Sequence, residues 1–110
     1  MCHTLLEVVT QLDRFDEEAT IFAKPIGDQL KHDSPAAVII IPDEELALKT
    51  VEIAKKHCPG MKYVLEVFLA KEAVKVWSLW RDQRTPTAEQ ATDAVVYYST
   101  HDAYLPTDGT

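Results

Sequence analysis

The stretch from residue 61 to residue 104 carries Tyr63, Phe68, Trp77, Trp80, Tyr97, Tyr98 and Tyr104, most of the aromatic content of the chain. Side chains of this size dominate core energetics, so the remaining segments must pack around whatever this stretch forms. Met61, Tyr63, Leu65 and Val67 alternate with Lys62, Val64 and Glu66, the period of a strand over 61–67. Between residues 69 and 82, helical stepping gathers Leu69, Ala73, Val76, Trp77 and Trp80 into one stripe and sets Lys71, Lys75, Ser78 and Asp82 opposite. Thr87, after Pro86 and three residues before Gln90, forms a capping-box signal. It starts a last helix running to about residue 103, with Ala88, Ala91, Val95 and Tyr98 on its apolar side.

The segments before this stretch supply the rest of a single domain. Leu5, Val8, Val9, Leu12 and Phe15 recur at helical spacing over residues 4–15, with Thr4 and Glu7 as a second capping box. Residues 19–24, rich in β-branched and aromatic side chains, read as a short strand that Pro25 ends. Residues 25–35 hold two prolines and Gly27 and form a long loop. Residues 36–41 are an unbroken apolar run between Pro35 and Pro42, which suits a central strand covered on both faces. A helix is expected over 43–57, with Glu44 and Glu45 at its start and Lys55, Lys56 and His57 at its end, as the helix dipole favours. The order α, β, β, α, β, α, α predicts an α+β domain: a three-stranded sheet with about four helices mainly on one face, and a frayed tail over 105–110. The first two strands can pair antiparallel across the long loop, and the third can lie parallel to the second through a right-handed crossover.

Composition narrows the roles. With 110 residues, 46% hydrophobic and 26% charged, the chain is of ordinary globular type and buries about 65% of its unfolded surface. A net charge of −7 argues against nucleic-acid binding, which needs clustered cations on phosphates. No apolar run approaches the roughly 18 residues a membrane-crossing helix requires. The start, Met1-Cys2-His3-Thr4, lacks the blocks of a signal peptide, so the expected location is the cytoplasm, with no membrane partner. There Cys2 and Cys58 are expected as reduced thiols. Each adjoins a histidine, but neighbouring ligands lack the gap that lets two side chains converge on zinc, so no metal or cofactor is expected.

Several polar residues stand out. Asp102 falls on the apolar stripe of the last helix near its C-terminus, where a carboxylate needs a partner; Arg81 and Arg84 are nearest in sequence. The structural reading is an ion pair fixing the angle between the last two helices, and the functional one is a catalytic or ligand-binding acid. Glu66, between Val64 and Phe68, is either a carboxylate with a raised pKa or part of a solvated sheet face. Tyr97, His101 and Tyr104 project from the other side of the last helix as a contact surface for a partner or a second copy. His32, Asp33 and Ser34 are the residue types of a hydrolytic triad, yet consecutive residues cannot relay a proton in that geometry. No GxSxG, P-loop, GxGxxG or CxxC is present.

The segments ATIFAKP, SPAAV, GMKYVLEVFLA with a following tryptophan, RTPT, YY and HDAY resemble a family of short, uncharacterised bacterial proteins, with residues 43–57 least alike. The resemblance implies a small stand-alone α+β domain and brings no activity, cofactor or catalytic residue. His101-Asp102 also resembles the paired metal ligands of HD-type phosphohydrolases, whose further histidine and aspartate have no evident counterpart. The expected role is a non-catalytic interaction module, homodimeric or an acidic immunity-type or inhibitory protein suited to a basic partner. The competing expectation is a small hydrolase or ligand-binding enzyme using Glu66, Asp102 and the His32 loop.

Overall fold

The computed structural model describes residues 3–106, so Cys2 and the end of the expected tail lie outside the described residues. Strands β1 (His3–Thr4), β2 (Thr20–Ala23), β3 (Pro35–Ile39) and β4 (Lys62–Glu66) form one sheet in the order β1-β3-β2-β4, antiparallel throughout. Helices α1 (Leu5–Thr10), α2 (Thr50–His57), α3 (Val67–Leu79) and α4 (Ala88–His101) complete the α+β fold, with 3-10 turns at Leu12–Arg14 and Asp43–Glu45.

Two expectations about the sheet are corrected. Among the described residues there are four strands, because His3 and Thr4 pair with Ala36 and Pro35; two residues leave no periodic signal in a sequence. β4 lies antiparallel beside β2 and not parallel to β3, with Thr20 opposite Glu66 and Ala23 opposite Lys62. The β2–β3 pairing across the long loop is as expected, with Thr20 opposite Ile39.

The sheet has two covered faces. On one, Ile21, Ala23, Ala36 and Leu65 pack with Leu5 and Val8 of α1, Ala70 of α3 and Val95 of α4. On the other, Phe22, Ala37 and Ile39 meet Ile53, Ala54 and Cys58 at the α2 side, with Ile41 and Met61 packed beside them. Three of the four helices therefore share a face, and β3 is covered on both, as its apolar run requires.

Local chemistry sets the helix ends. Both capping boxes form: Thr4 Oγ1 accepts from the Glu7 N–H at 3.1 Å, and Thr87 Oγ1 accepts from the Gln90 N–H at 3.1 Å. The helix expected over 43–57 divides into a 3-10 turn and α2. α3 begins directly at Val67 and stops at Leu79, where Asp82 and Gln83 take left-handed φ of 57° and 59°. Its buried stripe is accordingly Val67, Ala70, Ala73, Val76 and Trp77. Trp80, expected in that stripe, is 51% exposed, whereas Trp77 is 4% exposed.

Candidate functional site

The long loop is pinned to the domain. Ser34 is fully buried; its carbonyl accepts from the Leu5 N–H at 2.8 Å, and its Oγ accepts from the Lys31 N–H at 2.8 Å. Gly27 supplies the φ of 66° that turns the loop back so that Ile26 and Gln29 form a bridge. His32 then faces α4, with its Nε2 2.7 Å from Asp93 Oδ1. Both side chains are well exposed to water, so this is a clasp at the surface.

Between this loop, α4 and the start of β4 lies an open cleft of about 570 Å³. Tyr97 and His101, one turn apart on α4, line it with rings in contact, their centroids 4.1 Å apart and their planes tilted by 34°. Asp28 and Asp93 also line it, with Lys62 and Leu105 contributing to its walls. Asp93, which carries the loop clasp and a cleft wall at once, gave no sequence signal; a lone aspartate on a helix face does not reveal a partner 61 residues away.

Tyr104 is separated from the pair with which it was grouped. Its ring packs edge-on against Trp80 at 5.9 Å and at a 51° tilt against Tyr98 at 5.2 Å. Burial, then the charge of Glu72, pushes its phenol pKa up. Tyr97 and His101 therefore belong to a cleft, while Tyr104 belongs to an aromatic cluster between α3 and the chain beyond α4.

The expected Asp102 ion pair does not form. α4 ends one residue earlier, and Asp102 is an exposed C-cap with φ of 53°, its N–H donating to the Tyr98 carbonyl at 2.8 Å. Arg81 turns elsewhere: Nη1 donates to the Trp77 carbonyl at 3.0 Å and Nη2 to the Pro106 carbonyl at 3.0 Å. Its guanidinium sits 4.6 Å from the Trp77 ring centroid, so it ties the chain beyond α4 to α3. Arg84 is exposed, and neither it nor Asp102 is in an ion pair among the described residues.

A bulge explains Glu66. Tyr63 pairs with Phe22 and Leu65 with Ile21, so Val64 is an extra residue that resets the alternation. Val64 joins the larger core, while Tyr63 and Glu66 come to one face, where the Tyr63 hydroxyl donates to Glu66 Oε2. Burial, then this hydrogen bond, raises the Tyr63 pKa far above the usual phenol value.

One buried acid escaped sequence reading. Glu45, 6% exposed, accepts from Lys56 Nζ, and its Oε1 lies 2.7 Å from His57 Nε2. Lys56 first and His57 second hold its carboxyl below the usual range. Acids at the start of the segment and bases at its end were read as dipole complements. Of these, Glu45, Lys56 and His57 are instead direct partners, because the chain folds back between residues 45 and 50.

None of the clefts described here brings together two of Glu66, Asp102 and His32; a shallow one of about 300 Å³ holds His32 with Asp93. Among the described residues no set of three His, Cys, Asp or Glu side chains could hold a metal ion, and no helix is long and apolar enough to cross a membrane. No family model, curated protein or solved structure matches the chain, so the family likeness rests on the quoted segments alone.

Proposed function

We propose that this chain is a non-catalytic protein-interaction module of the cytoplasm, most concretely an inhibitory or immunity-type protein, whose contact surface is the α4 cleft and whose partner is basic. One observation carries this reading: the adjacent Tyr97 and His101 rings stand at an open cleft together with the carboxylates of Asp28 and Asp93. An aromatic face beside carboxylates suits an arginine or lysine side chain, which stacks through its cation and bonds through its donors. The net charge of −7 steers such a partner inward. Titrating the ¹⁵N-labelled protein with a short arginine-rich peptide tests it. Amide shifts should concentrate at residues 93–101 and be lost in Tyr97→Ala; equal shifts from a glutamate-rich peptide, or none from either, would refute the reading.

A second reading, a small hydrolase, draws on the 2.7 Å contact between His32 and Asp93, since a carboxylate that orients an imidazole is half of a general-base arrangement. It needs turnover of simple nitrophenyl esters or phosphates that disappears in His32→Ala. Absence of turnover in the unaltered protein disposes of it.

A further inference from the structure

The α2 face of the sheet is less fully covered than the other. A groove of about 540 Å³ opens between α2 and β4, floored by Val51, Ala54, Met61 and Tyr63 and flanked by Lys55 and Lys62. Just before α2, Leu46 is 64% exposed, and Val51 at the groove is 63% exposed. The chain around Leu46 is acidic, with Asp43 and Glu44 both exposed. Glu45 is withdrawn into its contacts with Lys56 and His57, so those two bases are already engaged. Lys55 and Lys62 are in no ion pair among the described residues.

We infer that this face is a homodimer contact: Leu46 of each copy enters the groove of the other, with Asp43 and Glu44 beside Lys55 and Lys62. The argument for a second copy, over an unrelated partner, is charge complementarity within one surface. An apolar knob with acidic neighbours and an apolar groove with basic flanks lie on adjacent segments of the same chain. A two-fold axis between them satisfies both contacts twice, as an isologous interface requires. Burying Leu46 and Val51 removes from water the apolar side chains that the fold leaves out. This contact shares only Lys62 with the α4 cleft and none of Tyr97, His101, Asp28 or Asp93, so its failure would leave the interaction reading untouched.

Sedimentation equilibrium on the full chain decides the matter. The expected species at tens of micromolar has twice the 12.4 kDa chain mass. Leu46→Glu and Lys55→Glu, both at exposed positions, should each weaken the dimer by about tenfold or more, with circular dichroism unchanged. Combining Glu44→Lys with Lys55→Glu should restore association, because the pair is reversed and not removed. A monomer at every concentration, or a dimer that neither single substitution weakens, would overturn the assignment, as would failure of the double reversal to recover any affinity.

Discussion

At the scale of single residues, Asp102 and Arg81 do not form the ion pair the sequence suggests, and each takes a separate role. Asp102 marks where α4 stops, in a left-handed conformation that glycine adopts without cost and a β-carbon disfavours. Asp102→Gly should therefore leave stability equal or slightly higher, and Asp102→Ala should lower it by about 1 kcal/mol. Arg81→Ala should cost about 1–2 kcal/mol, since it removes bonds to the Trp77 and Pro106 carbonyls together with the guanidinium over the Trp77 ring. Urea midpoints of the three variants check this, and a loss of several kcal/mol in both Asp102 variants would restore an ion-pair role. The aspartate looked inward only because stepping along α4 carried the helix one residue further than its cap allows.

At the scale of elements, α2 is held by one carboxylate and one aromatic ring. The Glu45 carboxyl titrates below its ordinary value, so the folded state favours its ionised form. The resulting stabilisation is complete above the unfolded-state pKa and fades as pH falls through the lower folded-state value. Unaltered protein should thus exceed Glu45→Gln in urea midpoint at neutral pH. That gap should narrow in the acid range below about pH 4.3, the ordinary glutamate value. A gap that stays constant from neutral to strongly acid pH would contradict the linkage. Phe22 is the other anchor: fully buried, it is the sheet residue on which Ile53 and Ala54 rest, and Tyr63 meets it edge-on at 6.4 Å. Phe22→Ala should cost about 3–5 kcal/mol in equilibrium unfolding, the range for removing a buried ring that its neighbours cannot replace.

At the scale of the whole molecule, the two sides of the sheet are unequal: one is covered by α1, α3 and α4, the other by the eight residues of α2. Amide hydrogen exchange should report this, with α2 opening before β2 and β3 and with Glu45→Ala speeding exchange in α2 while leaving Ile21 protected. Uniform protection across both sides would show that α2 does not open alone. Much of this architecture is legible in the sequence, because periodicity, proline positions and the two capping boxes act within a few residues of one another. They fix the α+β class, the long hairpin, the doubly covered β3 and the starts of α1 and α4. They say little about contacts between distant segments. The two-residue β1, the choice of β2 as neighbour for β4, the bulge at Val64, the His32–Asp93 clasp and the burial of Glu45 each depend on which surfaces meet after collapse. Local free energies are nearly indifferent among those options, and only the packing of the complete core separates them.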